Sequence, residues 1–480
     1  MDRFDILIRG GTVVDGTGAP GRRADIALTG DRIAVLGDIG AARADLEVDA
    51  TGRVVAPGFI DAHTHDDRLL LSDPDMSAKV SQGVTTVVVG NCGVSLAPFV
   101  ATRRPPPPLD LLGVDWFRFP TFAAYLDEVE ARPPAANGVF LVGHQTLRVR
   151  EMDDLDRPAT ADEIARMQAH VREAMQAGAT GFSTGLFYPP ARAATTDEVV
   201  AVTEAVRPFG GLYATHMRDE GAGLERSVEE TLEIGRRADV PVVISHHKAS
   251  GTPNHGKVAR TLARIAEAAK TQRVSLDVYP YAASSTVLLP ARLNDASRVI
   301  VTWSETMPEV AGRDLDDIAA EHGVDKFAMA ERLVPAGAIY FTMAEDDVQR
   351  VLRFAGAMIG SDGLPHDPRP HPRLWGTFPR VLGHYSRDLG LMPLEEAVRR
   401  MTGLTASKFG IRDRGVLREG AFADVTVFDP VTVIDAASFT DPIRPAPGID
   451  IVIVNGQPVW HAGVSTGARP GRPLRRDGAV

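Results

Sequence analysis

Eight apolar stretches, each ending in a polar or glycine-containing turn, constrain this chain more than any other feature. They fall at 54–65, 85–93, 138–144, 181–186, 211–216, 241–246, 274–281 and 357–362. Their apolar residues run with little alternation, which is how a strand covered on both faces reads. Helical patterns separate many of them, for example at 161–177, 196–208, 223–238 and 257–270. Strands alternating with helices predict an α/β fold with a parallel sheet, and eight strands are the number that closes a (β/α)8 TIM barrel. An open doubly wound sheet would call for a Gly-rich phosphate loop after an early strand, and the sequence has none.

The two ends of the chain have a different texture. Residues 1–57 carry short strand patterns at 4–8, 12–14, 25–28 and 32–36, separated by turns such as Gly10-Gly11 and Asp15-Gly16. The far end repeats this at 424–428 and 449–454, where Asn455-Gly456 is a hairpin signal. Neither end is long enough for a sheet domain of its own. Residues 1–57 and 413–480 are therefore expected to combine into one small β-sandwich domain, leaving 58–285 and 346–412 for the barrel. Residues 286–345 are too long for a loop and contain helical pieces at 314–322 and 326–333. They read as an insertion over the barrel mouth, a lid that shapes substrate choice. Pro105-Pro-Pro-Pro108 reads as a stiff extended spacer rather than a chemical element.

A chain of 480 residues with 44% hydrophobic and 24% charged side chains suits a globular protein with a large core. The formal net charge of -11 argues against nucleic acid as a partner. No segment is apolar for long enough to span a bilayer, and the apolar run after Met1 is too short for a signal-peptide core. A cytoplasmic protein acting on a small molecule is expected, with no membrane partner and no oligomeric state specified. The lone Cys92 excludes an intrachain disulfide, and by itself it reads as a small buried hydrophobe.

Active sites of such barrels sit at the C-terminal ends of the strands. There the sequence places His63 and His65, Cys92, His144, His216, His246-His247-Lys248, Tyr279 and Asp362. Each alone has an ordinary reading as a packed or surface residue. Together they do not, because six of only 13 histidines lie at or just beyond these ends. His63 and His65 flank Thr64, so on a strand both imidazoles face one side. Mixed imidazole, thiolate and carboxylate donors suit zinc and disfavour calcium and magnesium.

These motifs carry a family resemblance. Pro57-Gly-Phe-Ile-Asp-Ala-His-Thr-His65, later single histidines on two strands, and Ser361-Asp362 on the last resemble the amidohydrolase superfamily. Gly90-Asn-Cys-Gly93, Thr215-His-Met-Arg-Asp219, Ser245-His-His-Lys248, Ser361-Asp-Gly-Leu-Pro-His366 and Arg369-Pro-His-Pro-Arg373 resemble the D-aminoacylases within it. Those enzymes hydrolyse N-acyl-D-amino acids. The resemblance covers essentially the whole chain.

It implies one tightly held Zn2+ on Cys92, His216 and His246, and a second, weaker position at His63, His65 and Asp362 that Cys92 can bridge. Many relatives bridge two metals with a carboxylated lysine. Here none of the six lysines lies on the third or fourth strand; Lys79 sits in a helix before the second, and Lys248 follows a ligand histidine. Asp362 is expected to move the proton, first from water and then to the departing nitrogen. Tyr279 and Lys248 are expected to contact substrate, and His144 is a further candidate. A substrate carboxylate calls for an arginine clamp. Arg373 is the first candidate, Arg292 the second, and Ser285 a hydrogen-bond donor. Two arginines facing the pocket would favour an acidic side chain such as that of D-glutamate. Two other readings stand beside this one: a cyclic amidase of the hydantoinase or dihydropyrimidinase type, and a structural relative without catalysis.

Overall fold

The computed structural model describes residues 3–476. Eight strands build the centre: β1 (Phe59–Asp61), β2 (Val84–Val89), β3 (Asn137–Gly143), β4 (Gly181–Gly185), β5 (Leu212–His216), β6 (Val242–Ile244), β7 (Val274–Val278) and β8 (Ala357–Ile359). They pair in chain order, each parallel to the next. Every residue in them is buried, as their unalternated sequences require. They form a nearly closed TIM barrel.

Local sequence explains the surrounding helices. Helix Ala161–Ala177 opens on a Thr160/Glu163 capping box and stops at Gly178, whose φ of 112° suits glycine. Helix Leu224–Ala238 buries Leu224, Val228, Thr231 and Leu232, one stripe at three- and four-residue spacing. Each large apolar side chain in such a stripe stabilises the fold by about 1.5–3 kcal/mol. Inside the barrel, Ala62, Val88, Val139, Leu141, Leu212, Ala214, Val243 and Met358 form a dry floor. The polar strand ends stand above it.

The stretch 54–65 is two strands rather than one. Val54–Pro57 pairs antiparallel with Val425–Phe428, and β1 begins after Gly58. A Cβ at Gly58 would lie 2.2 Å from the Thr85 side chain, so only glycine lets the chain pass from one layer to the other. Strands from both termini share one nine-stranded sheet. This sheet curls until the Ile33 N–H donates to the Ala421 carbonyl at 2.9 Å. Its inner face encloses a second core that includes Ile8, Ile26, Leu28, Val427, Ile451 and Ile453.

The insertion between β7 and β8 has a core of its own. Strands Ser284–Val287, Val299–Ser304 and Ala336–Tyr340 form a small antiparallel sheet. Helices Leu315–Glu321 and Lys326–Leu333 pack on it through Leu315, Ile318, Met329 and Leu333. Its two ends are adjacent, with the Met343 N–H donating to the Ala282 carbonyl at 3.2 Å. Among the described residues, no helix is long and apolar enough to cross a membrane.

Candidate active site

Cys92 lies in a short turn after β2, buried against three imidazoles. Its Sγ is 3.3 Å from His63 Nε2, 3.4 Å from His246 Nε2 and 3.8 Å from His216 Nδ1. Tetrahedral bonds of about 2.3 Å to sulfur and 2.0 Å to nitrogen put such atoms roughly 3.5 Å apart, so the donor set fits a zinc-sized ion. Three overlapping triads have ligand atoms within 4.8 Å of one another: Cys92 with His216 and His246, Cys92 with His63 and His65, and His63 with His246 and Asp362. Burial raises the Cys92 thiol, but His63, His246 and His216 outweigh it and hold the sulfur as thiolate.

The backbone is bent to bring these atoms together. Cys92, His246 and Asp362 have φ values of 53°, 36° and 50°, in the left-handed region that side chains other than glycine avoid. Three such residues meeting at one cluster mark a place where conformational strain is tolerated for position.

Buried carboxylates orient the imidazoles. Asp277 lies 3.4 Å from His63 Nδ1 and accepts the His246 N–H at 2.8 Å. Glu220 reaches His246 Nδ1 at 3.0 Å, His216 Nε2 at 3.6 Å and Lys248 Nζ at 2.6 Å. Burial pushes the Glu220 carboxyl up, and Lys248 with the two histidines holds it well below the usual range. Carboxylates behind ligand histidines fix the tautomer and ring orientation.

A cavity opens over the cluster. His65, Cys92, His216, His246 and Asp362 form its floor, and Lys248, Tyr279, Ser285 and Arg292 line its sides. Asp362 faces His65 Nε2 at 3.3 Å and His63 Nε2 at 3.5 Å, with Arg373 at 2.8 Å behind it. Burial raises this carboxyl, while Arg373 and the histidines hold it well below the usual range.

The chain as a whole has relatives among known proteins. The amidohydrolase family model matches residues 46–460. The D-aminoacylase of Alcaligenes xylosoxydans xylosoxydans is 57% identical over 99% of this chain and 98% of its own. The chain belongs to the amidohydrolase family. The N-acyl-D-aspartate deacylase of the same organism is 51% identical over 99% of this chain and 96% of its own length. A Bordetella bronchiseptica N-acyl-D-glutamate deacylase, solved with zinc and a phosphonate inhibitor, superposes with a TM-score of 0.96 at 47% identity, covering 99% of this chain and all of the other.

Three expectations for this amidohydrolase meet a different placement in the structure. His144 does not reach the cavity. It is the first residue of helix His144–Glu151, and its imidazole turns outward to Glu198 at 3.2 Å, where Arg148 completes a buried cluster. Arg373 is fully buried beside Asp362, donates to the Ser285 carbonyl at 3.1 Å and is not among the residues lining the cavity. Of the two arginines, Arg292 is the one lining the cavity, its guanidinium 4.7 Å from the Tyr340 ring centroid. The proline-rich segment is more than a spacer, since Pro108, Leu111 and Leu112 form an apolar wall of the cavity.

Glu220 and Asp277 escaped the sequence reading, as did Tyr188, which lines the cavity. Glu220 had a signal: it stands four residues after His216, a spacing that invites contact. Asp277 lies inside an apolar strand, where a carboxylate without a partner would be costly.

Proposed function

We propose that this chain hydrolyses the amide bond of N-acyl-D-amino acids, releasing a carboxylate and a free D-amino acid, with zinc as its metal. One observation carries the reading: the thiolate–imidazole triad and Asp362 form the floor of a single cavity whose side bears Lys248 and Arg292. The relatives' names supply the substrate class and its D configuration. Hydantoinases share 16% identity and thus the fold alone.

Cys92, His216 and His246 would hold the tighter ion, and His63, His65 and Asp362 a weaker one. When bound, a divalent metal there supplies Lewis acidity for the amide carbonyl and lowers the pKa of water. The chain's own groups do the rest. Asp362, ionised at neutral pH beside Arg373, takes the proton from the attacking water and passes it to the departing nitrogen. Among the described residues the Tyr279 hydroxyl has no closer partner than Met343 Sδ at 4.0 Å, and burial keeps it protonated, so it can donate to the developing oxyanion. Lys248 and Arg292 attract the substrate carboxylate, and Ser285 shares that wall. With one arginine and the apolar side chains of Pro108, Leu111 and Leu112 lining the cavity, neutral side chains should be preferred to acidic ones.

Release of free amine from paired D and L N-acetyl-leucine and N-acetyl-glutamate tests this. D-leucine should form fastest, with the L substrates at least about 100-fold slower, or roughly 2.7 kcal/mol in the transition state. Equal rates for D and L, or turnover of cyclic imides alone, would overturn it.

A further inference from the structure

The barrel has one weak seam. Seven strand pairs form parallel ladders. Around β1 and β8 the described backbone contacts are Ala62 N–H to the Ile359 carbonyl (3.1 Å), Asp362 N–H to the His63 carbonyl (2.8 Å) and an isolated Thr64–Gly363 bridge. This seam divides the candidate metal centre, with His63 and His65 on one side and Asp362 on the other. A small slip along it would change the distances among these three residues and the one from His63 to Asp277 on β7.

Across the seam lies a lysine with no solvent exposure. Lys79, on the short helix Ser77–Val80, places its Nζ 2.9 Å from Asp61 Oδ2 on β1 and 2.9 Å from Ser361 Oγ, two residues past β8. Asp66 Oδ2 lies 3.2 Å away. Asp61 Oδ1 accepts the Ser361 N–H at 2.7 Å and the His63 N–H at 3.3 Å, so one carboxylate ties both sides. Ser361 Oγ also accepts the Gly363 N–H at 3.2 Å.

A buried ammonium among carboxylates is weak stabilisation, because desolvation offsets most of the attraction and apolar residues of similar volume do as well. Such a cluster supplies direction instead, since the Lys79 ammonium meets Asp61 and Ser361 together in one arrangement. We propose that Lys79 is a positioning residue, an ammonium clip across the open seam of the barrel that fixes Asp362 against His63 and His65. It touches neither the cavity nor the triad of Cys92, His216 and His246.

The test compares the parent with K79M/D61N/D66N, which removes the charges together and keeps the amide oxygen of residue 61 as an acceptor. Apo protein is titrated with cobalt(II), and kcat and KM are measured with N-acetyl-D-leucine. The clip predicts an unchanged first cobalt equivalent, a second weakened about tenfold or more, and kcat reduced about tenfold or more with KM within about threefold. A folded variant whose second cobalt equivalent and kcat both stay within about threefold of the parent overturns it. Should the triple variant not fold, Ser361→Ala serves: kcat lowered about fivefold at an unchanged melting temperature supports the clip, and unchanged kcat overturns it. The kinetic arm rests on the deacylase reading. An inactive parent counts against that reading, while the cobalt titration still judges the clip.

Discussion

Asp362 combines a backbone conformation that aspartate rarely adopts with an arginine that keeps its carboxylate charged. Replacing it with alanine should lower kcat by roughly 10³-fold or more, in line with loss of a positioned proton carrier. The metal of Cys92, His216 and His246 should remain, as elemental analysis of the purified variant would show. Near-normal kcat would remove Asp362 from the mechanism. A different carboxylate governs acid stability. Burial raises Glu198, but His144, the Ala159 N–H and Arg148 bring it from 4.5 down to about 2. A depressed folded pKa contributes stability above the unfolded value, and that contribution is lost as pH falls from about 4.5 toward 2. Full expression of this shift is worth roughly 3 kcal/mol. Glu198→Gln should therefore lower stability at neutral pH and flatten the acid limb of a denaturation-versus-pH profile. The candidate ligand residues stood out because few residue types bind metal and they recur at strand ends. Asp277 did not, since a carboxylate's service to a histidine far along the chain leaves no local pattern, and Glu220 offered only its four-residue spacing from His216.

The strands reveal themselves as apolar runs, but their ends do not. The stretches at 85–93, 241–246 and 357–362 outlast the strands inside them, because Cys92, His246 and Asp362 turn to positive φ just where the chemistry begins. Apolar content signals burial and is silent about that turn. The same seam makes a prediction for β8: a Cβ at Gly360 would lie 2.6 Å from His63 Cβ. Gly360→Ala should force the two strands apart, costing about 1–3 kcal/mol and lowering kcat more than it raises KM. Thermal melts and steady-state kinetics check this together; an unperturbed kcat would show that the seam tolerates displacement.

At the scale of the molecule, alternating strands and helices made the barrel legible, and matched textures at the two ends indicated the shared sheet. The curl of that sheet depends on contacts hundreds of residues apart, such as Ile33 with Ala421, which no window of sequence contains. The insertion has its own core and adjacent ends. Replacing residues 283–342 with a short Gly-Ser link should leave a folded barrel that still holds metal, since no ligand lies in that span. Loss of Arg292, Ser284 and Ser285 should raise KM by about 30-fold or more, roughly 2 kcal/mol of binding. The most direct measurement is the divalent-metal content and turnover of the parent beside Cys92→Ala. The parent should carry a tightly held equivalent and hydrolyse N-acetyl-D-leucine, and the variant should lose both. A variant that kept its metal and its rate would contradict the claim that the chain's single sulfur anchors the catalytic centre.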